Sequence, residues 1–426
     1  MGQSHDLGPS AGVFDPSRAA SRVTSQATLA TSVCPPRASA DQGGDEMIYL
    51  DANASEPLRP QARAAMLAAL DIVGNPSSIH RAGRIARAVM EDAREAIAAR
   101  FGARPADTVF TSGGTEANAL AIHALAIDGG GNRAGRRVIV GATEHDAVRA
   151  AAPEALALSV DRHGVADLDG LATLLAGGGP ALVCLMLANN ETGTLQPVAR
   201  AAELCRRAGA RLHVDAVQAA GRLPVDLRAL GAHSLALSAH KLGGPKGVGA
   251  LLLAPEISAL TPLIAGGGQE RGRRGGTPPL PAIAGFGAAI GALGDGTQFA
   301  ALREMAALRD AIEQAAIASG AVVLGAGAAR LANTTCLALP GVRADAQVIA
   351  LDLDGFAVSA GAACSSGKLA ESHVLAAMGL GTLAGQAIRV SLAWNVTAAD
   401  VAAFLPAYAR MAERLTAAFA LPPRAA

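Results

Sequence analysis

The chain has 426 residues, 51% hydrophobic and 17% charged, a composition that builds a sizeable core and excludes a mainly disordered protein. Its 36 Lys and Arg balance its 36 Asp and Glu, and only 3% of residues are aromatic, which argues against nucleic acid as a partner. No apolar run reaches a membrane span and no Arg-Arg or hydrophobic signal opens the chain, so the reading is soluble, cytoplasmic and without a membrane partner.

In chain order, residues 1–46 mix Ser, Thr, Gly, Pro and scattered charge without period, as a disordered tail would, or a start assigned too early with Met47 as the true one. From Ile48 onward, short apolar strands alternate with Ala-rich amphipathic segments, which predicts an α/β fold with a mainly parallel sheet. The segment 85–102 reads as a helix with Ile85, Val89 and Ile97 on one face, Arg87 and Glu91 at i,i+4, and Gly102 as its stop. Strands are expected at Thr108–Thr111, Arg137–Val140, Leu156–Val160, Leu182–Ala188, Arg211–Asp215, Leu235–Ser238 and Ala250–Leu253, with helices at Glu116–Ile127 and Arg200–Ala208. These seven strands make one large domain over residues 62–302. Residues 303–426 restart with a long helix and shorter strands, as a second, smaller domain.

Ligands of open α/β sheets bind at the carboxyl ends of the strands, and four such ends carry polar residues here. Ser112-Gly113-Gly114-Thr115 precedes a helix whose free N–H groups suit a phosphate, although a tight turn capped by Thr115 is the plainer reading. Asp215, with Gln218 three residues on, needs a cation or an N–H partner; a protonated heteroaromatic nitrogen or a structural Arg would serve. Ser238, His240 and Lys241 leave a buried strand together, and a lysine there is either a loop charge or an amine poised for Schiff-base chemistry. Asn189 and Asn190 end the fourth strand, where a turn alone would explain them. Together, a phosphate turn, an acid for a ring nitrogen and a lysine for an aldehyde are the handles that hold pyridoxal 5'-phosphate.

The five cysteines, Cys34, Cys184, Cys205, Cys336 and Cys364, are far apart, which excludes a disulfide framework and fits a reducing compartment. Cys184, Cys205 and Cys336 read as packed core and Cys34 lies in the tail. Cys364 sits in a small, polar loop, VSAGAACSSGK, where an exposed thiol is free to react. His145 is a loop histidine or a ring that stacks over the sheet. Arg389, isolated in an apolar strand, wants a carboxylate from a substrate or from a structural partner. The run GGGQERGRRGGT, with Arg271, Arg273, Arg274 and Thr277, is a solvated basic loop or one that reaches a phosphate or a neighbouring subunit.

The sequence resembles the cysteine desulfurases of the class V aminotransferase family, in their NifS/IscS branch. The resemblance spans about residues 47–400 and rests on YLDANAS, GNPSSIHRAGR, TSGGTEANALAI, TEHDAV, ANNETGTLQP, HVDAVQAAGRLPVDL, LSAHKLGGPKGVGAL, GGGQERGRRGGT, VSAGAACSSG, SHVLAAMGL and AIRVSLAWN, in the family's order. The S-x-H-K followed by G-P-K-G and the A-C-S-S-G loop are the most specific. The resemblance implies a fold-type I transferase in which residues 47–61 join 303–426 in the small domain. It implies that Lys241 bonds the cofactor aldehyde and moves the Cα proton, that Asp215 pairs with the ring nitrogen and Gln218 with the phenolic oxygen, and that His145 stacks on the ring. Gly114, Thr115, Ser238 and His240 would hold the phosphate with Thr277 of a partner subunit, hence a homodimer. Asn190 would contact cofactor and substrate, Arg389 the carboxylate of L-cysteine.

Cys364 would accept the sulfur as a persulfide, leaving L-alanine, and pass it to an iron–sulfur scaffold protein or another acceptor, where Cys364 would be at most a transient iron–sulfur ligand. General iron–sulfur assembly, nitrogenase clusters and tRNA thiolation are all destinations of such sulfur. Ser55-Glu56 stands where the family commonly has a Thr-Thr pair, a departure that bears on the dimer or N-terminal packing and not on the chemistry. Lys368 and Leu369 follow the cysteine loop without a gap, which makes that loop long, as in the branch that feeds scaffold proteins. A selenocysteine lyase or an aminotransferase of the same fold is the alternative enzyme. A scaffold without turnover would be expected to have lost Lys241 or Cys364.

Overall fold

The computed structural model describes residues 47–126, 135–257, 259–294, 298–361 and 371–420. Contacts divide the chain into Met1–Gly44 and Asp45–Ala426, and all described residues belong to the second unit.

The first strand, β1 (Ile48–Tyr49), belongs to a different sheet from the seven that follow: β2 (Thr108–Thr111), β3 (Arg137–Gly141), β4 (Leu156–Leu158), β5 (Ala181–Met186), β6 (Arg211–Asp215), β7 (Ser234–Ser238) and β8 (Gly249–Leu253). These seven form one sheet in the order β2-β8-β7-β6-β5-β3-β4. β8 runs antiparallel to both β2 and β7, and every other neighbouring pair is parallel. Six strands therefore share one direction. Their apolar runs are continuous rather than alternating because helices cover both faces, and all six residues of β5 are buried. One face packs Leu212, Val214, Leu235 and Leu237 against Phe286 and Ile97. The other packs Leu182, Cys184, Ala236 and Leu251 against Leu120 and Leu125.

The seven strands are those the sequence predicts, with shifted ends. The expected Leu156–Val160 stops at Leu158, and Val160 makes only an isolated bridge to Ala166. The expected Leu182–Ala188 runs from Ala181 to Met186, because Ala188 turns away to pair with Leu195. Helices begin earlier than read, at Gly114–Leu125 and Val198–Ala208; the latter stops at Gly209, whose φ of 65° closes the last turn. The helix predicted from 85 spans Arg81–Arg100, and its buried face is Gly83, Ala86, Met90, Ala93, Arg94, Ile97 and Ala98. Ile85, expected on that face, is exposed. Glu91 pairs with Arg94 at 3.1 Å instead of Arg87, whose Nε donates to the Pro76 carbonyl. Arg94 wins because its guanidinium is buried and must be neutralised, whereas Arg87 reaches a backbone oxygen.

A second sheet of four antiparallel strands has the order β12 (Ser359–Ala360), β13 (Ala387–Ser391), β10 (Thr334–Ala338), β9 (Val322–Leu324). β1 pairs in parallel with β11 (Phe356–Ala357), and Ala52 N donates to the Ser391 carbonyl, so the segment 48–52 is bound to this sheet. Leu50 packs there with Ile312, Phe356, Ile388, Phe404 and Tyr408.

Candidate active site

The shared direction of β2, β3, β5, β6 and β7 brings five strand ends to one edge of the large sheet. Along it stand Gly113–Thr115 after β2, His145 after β3, Asn189–Asn190 after β5, Asp215–Gln218 after β6 and Ser238–Lys241 after β7.

Asp215 is 6% exposed and takes two hydrogen bonds, from Val217 N at 2.9 Å on Oδ1 and from Asn118 Nδ2 at 2.7 Å on Oδ2. Burial raises its pKa; the Val217 amide, His145, Asn118 and Lys241 oppose the rise. Lys241 Nζ donates to the carbonyls of Asn53 and, at 3.0 Å, Ala54. Gln218 is held at both ends of its amide: its Nε2 donates one hydrogen to the Asn53 carbonyl at 3.0 Å and its Oε1 accepts from Arg222 at 2.6 Å. Asn53 is thus the hub of the site, and its own side chain reaches Thr334 in β10 and the Asn190 carbonyl.

The phosphate turn is capped differently from the plainer sequence reading. Gly113, not Thr115, is the N-cap of the helix Gly114–Leu125, and no side chain caps it, which leaves its first amides aimed outward. A Cβ on Gly114 would fill the turn, 2.7 Å from Val217 and 3.4 Å from Ser238. His240 lies half-buried with its Nδ1 3.3 Å from Ser55 Oγ, and burial followed by Lys241 and Lys246 pushes its pKa down to about 4, so it is neutral near pH 7.

Asn189 and Asn190 separate in role. Asn189 builds the turn, its Oδ1 accepting from Glu191 N and Thr192 N, whereas Asn190 is only half-buried. Arg389 has a structural carboxylate after all: its NH2 donates to Asp51 Oδ1 at 2.7 Å and its NH1 to the Asn190 carbonyl at 3.1 Å, while its buried Nε has no hydrogen-bond partner among the described residues. His145 caps the short helix Asp146–Arg149 through Nδ1, which accepts from Ala147 N at 3.0 Å.

The basic run 266–277 is not a freely solvated loop. Arg271 and Arg273 donate to the Ala106 carbonyl, Arg274 pairs with Glu116 at 2.8 Å, and Glu270 is clasped by Arg94 at 2.7 Å. Glu116 also accepts from Ser112 N, so this loop is tied to the phosphate turn. Thr277 is exposed.

Cys184, Cys205 and Cys336 are buried, and burial pushes all three thiols up. Cys364 lies outside the described residues, as does Cys34. The described residues on either side of its segment converge: Ser372 Oγ donates to Glu191 Oε2 at 2.6 Å, and a Cβ on Gly361 would lie 2.6 Å from the same oxygen.

The aminotransferase class V family model matches residues 48–404. The chain belongs to the class V aminotransferases. Among curated members, it is 42% identical over 386 residues to the cysteine desulfurase of Cereibacter sphaeroides, covering 87% of this chain and 97% of that one. It is 38% identical over 379 residues to the IscS-like cysteine desulfurase of Mycobacterium tuberculosis, covering 84% and 94%. Of solved structures, the NifS-like protein of Rickettsia africae superposes with a TM-score of 0.79 at 33% identity, over 86% of this chain and all 100% of that one. Class V aminotransferases work with pyridoxal 5'-phosphate, and the donor set here fits it. The uncapped helix end and glycine turn suit the phosphate, the desolvated Asp215 wants a protonated nitrogen, and Lys241 supplies an amine on the same edge.

The sequence reading missed Asn53, Arg222, Asn118, His213 and Ser234, which all lie behind the named residues. Their signal was polarity inside apolar strands and turns, as in LHVDA and YLDANAS.

Proposed function

We propose that the chain is a cysteine desulfurase that takes sulfur from L-cysteine, releases L-alanine and holds the sulfur as a persulfide on Cys364. The observation that carries this reading is the convergence of Lys241, Asp215, His145 and Asn190 on one sheet edge, in a chain 42% identical to a cysteine desulfurase.

In this reading the bound cofactor supplies an electron sink that acidifies the substrate Cα. Asp215 holds the ring nitrogen protonated, Gln218 faces the phenolic oxygen and His145 stacks on the ring. Gly114, Thr115, Ser238 and His240 hold the phosphate, helped by Thr277 of the second subunit of a homodimer; the exposure of Thr277 on the protomer supports that role. Lys241 would hold the cofactor through its amine and would take the proton from the substrate Cα. Asn190 and Arg389 receive the substrate carboxylate; NH1 and NH2 of Arg389 each spend one hydrogen on Asn190 and Asp51 and keep another, which supports that role. The Cys364 thiolate attacks the substrate sulfur, the S–S bond forms as the C–S bond breaks, and protonation of the remaining carbon skeleton gives alanine. Both stems of the Cys364 segment lie against Glu191, one residue from Asn190, which supports delivery of the thiol to this place.

The division into a large domain, 62–302, and a small one, 47–61 with 303–426, is supported by two sheets with separate apolar cores. An iron–sulfur scaffold in the cytoplasm is the acceptor this reading favours. Among the described residues, no helix is long and apolar enough to cross a membrane.

The test is alanine and sulfide release from L-cysteine with added reductant, on wild type and Cys364→Ala, each with its visible spectrum. The expected result is both products from wild type, and a variant that keeps the cofactor band but loses sulfide. A variant that still releases sulfide at the wild-type rate refutes the role of Cys364 and favours a lyase of another kind.

A further inference from the structure

Behind Asp215 lies a line of three buried polar side chains, Ser234, His213 and Asn118. His213 and Asp215, two residues apart on β6, point to the same face. Ser234, which opens β7, is the register partner of His213, and Asn118 lies in the first turns of the helix Gly114–Leu125. The contacts are Ser234 Oγ to His213 Nδ1 at 2.8 Å, His213 Nε2 to Asn118 Oδ1 at 2.8 Å, and Asn118 Nδ2 to Asp215 Oδ2 at 2.7 Å. Relative exposures are 0% for Ser234 and His213, 1% for Asn118 and 6% for Asp215.

We propose that Ser234, His213 and Asn118 form a one-way hydrogen-bond chain that keeps Asp215 ionised, making the three of them positioning residues for the ring nitrogen of the cofactor. The inference rests on the reading that Asp215 faces that nitrogen.

The direction of the chain follows from what each group can do. An ionised carboxylate only accepts, so Asn118 must turn its NH2 to Asp215 and its carbonyl oxygen to His213. That oxygen needs a donor, so His213 carries its proton on Nε2. Burial pushes the pKa of His213 down to about 3, so the ring is neutral and Nδ1 is a bare lone pair. Ser234 must then donate. The Ser234 O–H, the His213 Nε2–H and one N–H of Asn118 all point toward Asp215. A proton on Oδ2 would face an NH2 group, and relieving that clash means flipping the amide, changing the imidazole tautomer and turning the hydroxyl together. The line thus opposes the desolvation that favours a neutral Asp215. His145 and Lys241 oppose it as well, and the buried Glu144, beyond β3, is the acidic group coupled to Asp215.

The consequence for the cofactor has a sign. A protonated ring nitrogen disfavours a second proton on the conjugated nitrogen of the Lys241–cofactor bond. Weakening Asp215 as an anion therefore raises the pH at which that bond, followed by the visible band, loses its proton. A packing role alone would lower stability without moving the band in this direction.

The experiment uses apoprotein reconstituted with pyridoxal 5'-phosphate, on wild type, His213→Leu, His213→Gln, Ser234→Ala and Asp215→Asn. The readouts are the cofactor dissociation constant, the pH titration of the visible band, and the melting temperature as a check on folding. His213→Leu should weaken cofactor binding about tenfold or more, the worth of one hydrogen bond in a line ending on a charge, and move the titration to higher pH. His213→Gln restores an N–H near the place of Nε2–H and should recover most of both effects. Ser234→Ala should shift the titration the same way by less, and it carries the test if His213→Leu does not fold. Asp215→Asn sets the limit of both readouts. If it weakens binding and shifts the band while folded His213→Leu or Ser234→Ala titrates as wild type, the chain is overturned and the reading of Asp215 stands. If Asp215→Asn itself leaves both unchanged, it is the reading of Asp215 that fails, and the inference goes with it.

Discussion

The buried pair of Glu56 and Arg222 makes a prediction that joins stability to the site. Their side chains are 7% and 6% exposed and meet at 3.1 Å. The guanidinium also donates to Asn53 Oδ1 at 2.8 Å, to Gln218 Oε1 at 2.6 Å and to the carbonyls of Gln218 and Ala52, and Glu56 Oε2 accepts from Trp394 N. Burial lowers the pKa of Arg222 and Glu56 pulls it back, yet an arginine does not shed its proton in a protein. Removing the carboxylate alone therefore strands a positive charge in the core. Glu56→Gln should destabilise by about 3–5 kcal/mol, the range for breaking a buried pair from one side. Arg222→Met strands the carboxylate and several acceptors and should cost a similar amount. In the double variant neither charge is stranded, so its loss should fall short of the sum by about 2 kcal/mol. Urea midpoints of the four apoproteins give the cycle. Each is paired with a cofactor dissociation constant, because Arg222 fixes Gln218, and both Arg222 variants should bind the cofactor more weakly. Additivity within about 0.5 kcal/mol would refute the claim that the two charges need each other.

Two further predictions follow from the same geometry. Burial raises Glu191 to about 7, so between its ordinary value and that pH the folded chain keeps a proton that the unfolded chain has released. Stability should therefore fall as pH rises from roughly 4.5 to 7, by on the order of 3 kcal/mol, and level off above. Urea midpoints at pH 5 and pH 8 should show that fall in wild type and a smaller one in Glu191→Gln; equal slopes would mean Glu191 ionises freely. Gly249 is the other position. A Cβ there would sit 2.5 Å from the Leu237 carbonyl oxygen and 2.6 Å from the Gly113 carbonyl carbon, both backbone. Gly249→Ala must displace the phosphate turn, and a loss of cofactor affinity of about tenfold, with a lower melting temperature, is expected. Unchanged affinity would place the phosphate elsewhere.

The fold was legible where the physics is local. Strands buried on both faces need unbroken apolar runs, and such runs in LVCLML and SLALS located β5 and β7 within a residue or two. The ends slipped at Ala181, Ser234 and Gly249, whose small side chains add little or nothing to the apolar run that marks each strand. Ile85 misled because its period matched a buried face, while the neighbouring helix Leu280–Gly291 packs on the small residues beside it; Gly287 sits so close to Ala93 that a Cβ would come within 2.7 Å.

The site divides along the same line. The residues proposed to touch the cofactor stand in short motifs at strand ends, so a local reading reaches them. The residues that hold those residues are polar groups buried among apolar neighbours, and several find a partner far along the chain: His213 is 95 residues from Asn118, and Asn53 is 281 from Thr334. One sequence does not encode which buried polar group meets which. It does encode that each must meet something, because a buried donor or acceptor left alone costs more than its hydrogen bond returns. The Ser55-Glu56 departure illustrates this. Read in sequence it bears on the dimer or on N-terminal packing; in the structure Glu56 reaches inward. Its partner is Arg222, one hydrogen bond from Gln218, so a substitution on the outer segment is coupled to the pole of the site where the phenolic oxygen is proposed to lie.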